Sequence, residues 1–124
     1  MAESSRGIAI ATWVVCGLLA ALYLFAGAGK LFIAPADAAE TFVRYGFTAG
    51  IATFIGACEL AGGVGLLIPA LSGLAAACLI PIMLGAIYSH LSHDPPQQAL
   101  GAVVALVLLI WVVYARGVRL PGRG

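Results

Sequence analysis

Apolar residues run along this chain in four long blocks, at 8–32, 49–68, 72–91 and 99–115, and the polar and helix-breaking residues collect between them. A hydrocarbon core about 30 Å thick takes roughly 20 helical residues to cross, and each block reaches or nearly reaches that length. The punctuation agrees with the blocks. Pro35 closes the first, Pro69 with Ser72 and Gly73 makes a tight turn after the second, and Asp94-Pro95-Pro96 ends the third. The connection at 69–72 is too short to do anything except reverse the chain between adjacent helices. The pattern predicts an all-α fold, an integral membrane antiparallel four-helix bundle, as one domain over 1–124 with a basic tail at 116–124. Arg6 ahead of the first block and Ala34-Pro35-Ala36 behind it have a little of the look of a cleaved leader. The apolar run at 7–29 is longer than the roughly 7–15 residues of a signal-peptide core, so the block is assigned as a spanning helix.

The loop after the first block has its own pattern. Over 37–45, Ala38, Phe42 and Tyr45 recur at helical spacing opposite Asp37, Glu40 and Arg44, with Glu40 and Arg44 spaced for an i,i+4 pair. A short interfacial helix is expected there, either as a lid on the outer end of the bundle or as a tie between the first two crossings.

Composition narrows the class further. Of 124 residues 63% are hydrophobic and 9% charged, against about 45–50% and about 25% in soluble domains. A water-soluble globule is excluded, and the lipid bilayer is the expected surrounding. A net charge of +1 leaves no basic surface able to follow a phosphate backbone, so nucleic acid is not an expected partner. Arg6, Arg116, Arg119 and Arg123 lie on the face that carries both termini, against Arg44 and Lys30 on the other, which predicts cytoplasmic termini. Trp13, Trp111 and Tyr114 fit an aromatic belt at that face, and Tyr45 and Tyr88 one at the outer face. Cys16, Cys58 and Cys78 are too far apart in sequence for a CxxC motif or a disulfide framework. Buried in apolar helices, they read as inert thiols.

Glu59, near the middle of the second block, is the most informative residue. An ionisable group there costs about 2.5–3.5 kcal/mol to insert and usually faces a bundle interior or a polar cavity. Gly56, Gly62 and Gly63 share its helical face, so either another backbone packs closely against it or a ligand has room beside it. The alternative role for Glu59 is to lock helices together. Lys30, about one turn from the outer end of the first crossing, either snorkels to the headgroups or bends inward to Glu59, and a direct pair requires a tilted helix or a water. His90 closes the third crossing, where its imidazole is suited to carrying protons. His90, His93 and Asp94 have a weak metal-ligand spacing, and no metal is assigned. Pro81 frees the carbonyl of Ala77 and predicts a kink able to open a pocket. The fourth block has no ionisable residue and reads as a wall facing lipid or another subunit.

Taken together, Ala26-Gly27-Ala28-Gly29-Lys30-Leu31-Phe32, the Pro35 loop ending in Tyr45-Gly46-Phe47, Cys58-Glu59-Leu60-Ala61-Gly62-Gly63, the 69–74 turn and His90 resemble the DoxX family of small four-helix bacterial membrane proteins. The resemblance covers essentially the whole chain. It implies a multi-pass protein of the bacterial plasma membrane with a quinone-linked or thiol-linked redox association and redox partner proteins, and it makes Lys30, Glu59 and His90 the family's polar residues. The chain has neither a haem-ligand pair nor a CxxC, which points to an accessory or binding subunit rather than a complete oxidoreductase; no catalytic residue is assigned.

Three functions follow as expectations. In the first, a quinone or other lipid-like ligand sits in a slot formed by Gly56, Gly62 and Gly63, with Glu59 and Lys30 polarising its head group and His90 exchanging protons. The second is a proton-coupled transporter of the small four-helix type, although those carry their carboxylate in the first helix. The third is a ligand-free scaffold assembled through Ala57, Ala61 and Gly65, with a homo-oligomer as one form.

Overall fold

The structure is a computed structural model, and it describes residues 2–119, with side chains from residue 5 onward. Arg123 and the tail beyond residue 119 lie outside the described residues. Among the described residues five α-helices follow in order: α1 (Ala2–Ala28), α2 (Pro35–Arg44), α3 (Ala49–Leu66), α4 (Ser72–His93) and α5 (Ala99–Arg116). A single π turn, Gly29–Ile33, prolongs α1, and a 3-10 turn, Pro96–Gln98, leads into α5. Among the described residues there is no strand. Four stretches, Ser5–Ile33, Ala49–Leu66, Ser72–His93 and Pro96–Arg116, are long and apolar enough to cross a membrane. They correspond to the four apolar blocks, the second ending at Leu66 rather than at residue 68. Phe25, Phe54, Leu84 and Val107 face outward along them. Apolar side chains on that outer surface need a lipid surrounding, and the protein is a multi-pass membrane protein.

α1 packs beside α3 and α5, and α4 beside the same two helices, so α1/α4 and α3/α5 are the diagonals of the bundle. The α1–α3 seam is made of small residues. A Cβ on Gly27 would fall 2.7 Å from the carbonyl oxygen of Gly56, and one on Gly63 would fall 2.9 Å from Leu24 and 3.3 Å from the carbonyl of Ala20. Without side chains there, two backbones close on each other and gain dispersion contacts, the main attraction left between helices in lipid. Of the proposed assembly positions, Gly65 meets Ala75 of α4 within the same bundle, while Ala57 and Ala61 are exposed.

The buried core occupies the half of the bundle nearer the termini, where Cys16, Leu19 and Tyr23 of α1 meet Leu66, Leu79, Leu109 and Val112. That end is tied by polar contacts. Arg116 donates to Ser72 Oγ at 3.0 Å and its guanidinium lies 4.9 Å above the Trp13 ring. Trp111 Nε1 donates to Thr12 Oγ1 at 3.2 Å. Gly117, at φ 70°, ends α5 in a backbone conformation that L side chains rarely adopt, and its carbonyl rests directly on Gly73. At the opposite end α2 packs on α3 and the π turn, closing that side of the bundle.

Candidate functional site

The site begins with the π turn. The amide of Ala34 donates to the carbonyl of Gly29, five residues back, at 2.9 Å. Such a turn inserts one extra residue into the helix and re-aims the side chains it carries. Lys30 lies within it, and its Nζ reaches 2.8 Å from Glu59 Oε1. The choice left open by the sequence, snorkelling or pairing, is resolved as a direct ion pair. The Glu59 side chain is 5% exposed and that of Lys30 21%. The approach is close but off hydrogen-bond alignment, so the enclosed Oε1 has a charge partner and no aligned donor among the described residues.

The pair forms part of the wall of a cavity of about 650 Å³. The walls come from Ala26 of α1, the π turn, α2, α3 and α4, and no α5 residue takes part. Most of the lining is apolar, from residues such as Ile51, Ile55, Ile82, Met83 and Phe42, with Asp37, Thr41, Ser89 and His90 as polar points. Pro81 is in the wall as well; the carbonyl that it leaves without a helical partner is that of Ala77. Lys30, Glu59 and His90 therefore face one space.

Gly56, Gly62 and Gly63 do not line that space. A Cβ on Gly56 would lie 2.8 Å from Lys30 Cβ, one on Gly62 2.8 Å from the Leu79 side chain, and one on Gly63 against Leu24. The slot expected beside these glycines is filled by neighbouring helices. A face without side chains lets the neighbours advance until they touch it, and the room lies farther along the bundle, between the π turn, α2, α3 and α4.

At the end of the cavity lined by Tyr45 and His90, a side-chain cluster forms on Asp94, just past α4. Tyr45 donates its hydroxyl to Asp94 Oδ2 at 2.5 Å, His90 Nδ1 lies 2.9 Å from the same oxygen, and Arg44 donates to Oδ1 at 2.9 Å. Tyr45 also stacks edge-on against the His90 ring, with centroids 6.0 Å apart. These hydrogen bonds, from Tyr45 and then His90, together with the Arg44 guanidinium, hold the Asp94 carboxyl well below the usual carboxylate range. Burial and the bond to Asp94 push the Tyr45 hydroxyl up, and the bond to Asp94 raises the Arg44 guanidinium.

One expectation changes here. Arg44 does not pair with Glu40; it turns to Asp94 and lies 4.8 Å above the Tyr45 ring, a more enclosed partner than an exposed carboxylate one turn away. Asp94, weighed as a metal ligand, is the hub joining α2 to α4, while His93 Nδ1 lies 3.3 Å from the carbonyl of Ser89. Sequence reasoning missed this cluster because Arg44 and Asp94 are 50 positions apart. The cysteines do not converge on the site: Cys16 is buried, Cys58 half-buried and Cys78 exposed, all as free thiols.

A sequence model of the DoxX-like family matches residues 14–113. No curated protein and no solved structure matches the chain.

Proposed function

The chain belongs to the DoxX-like family, and from that premise we propose that it is a redox-associated accessory subunit of the bacterial plasma membrane that binds a quinone or similar lipid-like ligand in its bundle. The observation that carries this reading is the mostly apolar cavity with the Lys30–Glu59 pair and His90 in its wall. Its volume of about 650 Å³ falls within the roughly 300–1,000 Å³ of small-molecule sites. That is room for a head group and the first part of a tail.

A quinone fits the donors present. Its carbonyls need hydrogen-bond donors in an apolar surrounding, and Lys30 Nζ supplies them at the only lysine of the chain. Bound there, a quinone would supply two-electron redox capacity. The protein's part is to orient the head group with Lys30, to hold Lys30 in place with Glu59, and to pass protons through His90. Electrons would come from a partner protein, since the sequence has no CxxC to supply them.

The test is to purify the protein in its native lipids and identify bound small molecules by mass spectrometry, alongside Glu59→Gln. A stoichiometric quinone or other lipid in the unmodified protein and its loss from the variant is the expected result. Equal retention by both would remove Glu59 from the site. No ligand in either would turn the reading toward a scaffold.

A further inference from the structure

A lysine beside an apolar cavity is ordinarily a receptor for an anionic head group, such as a fatty-acid carboxylate or a lipid phosphate. The charges around Lys30 argue against that role. Its Nζ is already 2.8 Å from the Glu59 carboxylate. The other charged side chain lining the cavity wall is Asp37 of α2, again negative, and it has no cationic partner among the described residues. Arg44 and His90 are both committed to Asp94. The two side chains with a fixed positive charge, Lys30 and Arg44, are therefore each matched by a carboxylate, and the Asp37 carboxylate has no cation of its own.

An anion entering such a space loses its water, finds no unpaired cation and meets the unpaired Asp37 carboxylate, which is costly in a lining this apolar. A neutral head group leaves the ion pair intact. It can still accept hydrogen bonds from the Lys30 ammonium, which has three donors, and from the hydroxyls of Thr41 and Ser89, which also line the cavity.

From this charge arrangement we infer that the cavity selects its ligand by charge, admitting neutral amphiphiles with a carbonyl or hydroxyl head group and rejecting anionic ones, with Glu59 and Asp37 as the specificity-determining residues. The inference rests on the reading of the cavity as a lipid-like ligand site and adds what kind of lipid it takes. It carries a consequence opposite in sign to a simple loss. Removing the Glu59 charge leaves the Lys30 charge unpaired inside the cavity, and an anionic head group becomes its best available partner.

The test uses two photoreactive probes with the same diazirine-bearing alkyl chain, one a methyl ester and one a sulfonate that is anionic at any working pH. Each is crosslinked to the full chain in nanodiscs, and adducts on cavity residues are quantified by mass spectrometry. In the unmodified protein the ester is expected to label the cavity at least about tenfold more than the sulfonate. Glu59→Gln is expected to raise sulfonate labelling by about tenfold or more. Asp37→Asn, at an exposed position without an ion-pair partner among the described residues, is expected to raise it about three- to fivefold, and it carries the test should Glu59→Gln not fold. Equal labelling by both probes in the unmodified protein, or sulfonate labelling unmoved in both variants, overturns the charge selection while leaving a lipid site. Absence of ester labelling in the cavity overturns the lipid-site reading and this inference with it.

Discussion

Lys30 and Glu59 stabilise each other, and the energetics of such a pair are lopsided. Removing one partner leaves an uncompensated charge in a low-dielectric site and costs about 3–5 kcal/mol, whereas replacing both by apolar residues of similar size is often close to neutral. Lys30→Met alone should therefore lower the unfolding midpoint in mild detergent strongly, and Lys30→Met combined with Glu59→Leu should recover most of the loss. Additive losses would mean that the two residues do not act as a pair. The α1–α3 seam makes a second demand at this scale. Gly27→Ala would bring a methyl group to 2.7 Å from a backbone oxygen, which cannot move aside as a side-chain end can, and the cost should be about 1–3 kcal/mol. Gly17→Ala meets nothing within 4 Å and is the control, expected to be neutral or slightly stabilising. The two alanine variants differ only in what lies opposite, so equal unfolding midpoints would show that the seam is looser than this packing.

α2 is tethered at both ends, by the π turn before it and by Gly46, at φ 97°, after it. Its last turn is fastened to α4 by Arg44 and Tyr45 on Asp94. A helix held in this way can serve as a lid. In a variant without native cysteines, Ser89→Cys would place a thiol on the cavity wall, and its reaction with a charged thiol reagent in nanodiscs would report how often the lid opens. Asp94→Asn should speed that reaction, Tyr45→Phe should speed it less, and equal rates would leave α2 a static brace. The pH dependence follows from the lowered Asp94 carboxyl. A group with a depressed folded value contributes its stability fully above its unfolded value, about 3.9 for Asp, and loses it as the pH falls through the folded value. With respect to Asp94 the fastening should be unchanged from pH 8 to 5 and weaken only below about pH 4, as hydrogen exchange in α2, corrected for intrinsic rates, would show. The existence of α2 was legible, because Ala38, Phe42 and Tyr45 repeat at helical spacing within ten residues. Its fastening was not, because nothing local marks Asp94 as the partner of residues 49 and 50 positions earlier.

Across the whole molecule the bundle divides into a packed half, with Leu19, Tyr23, Leu79 and Leu109 at its centre, and a hollow half around Glu59. Four crossings could be read from the sequence because hydropathy is a property of whole segments and lipid demands long apolar ones. The division could not, because Gly56, Gly62 and Gly63 give the same signal for a slot as for a close seam, and because the i→i+5 hydrogen bond that turns Lys30 inward leaves no mark in residue type. What the division means for the cell depends on which way the bundle faces. Arg6, Arg116 and Arg119 flank the packed end, against Lys30 and Arg44 at the hollow end. An excess of basic residues in short segments beside membrane helices favours the cytoplasm, so the packed end should lie there and the cavity should face the outer side. A fluorescent protein that matures only in the cytoplasm should therefore shine when fused to either terminus, and alkaline phosphatase, active only outside, should be silent at both. In the background without native cysteines, Gln97→Cys, in the exposed turn before α5, should be labelled in intact cells by a membrane-impermeant reagent. The reverse pattern would turn the cavity inward, and any proton passed by His90 would then be exchanged with the cytoplasm, which reverses the sign of the coupling between ligand chemistry and the proton gradient.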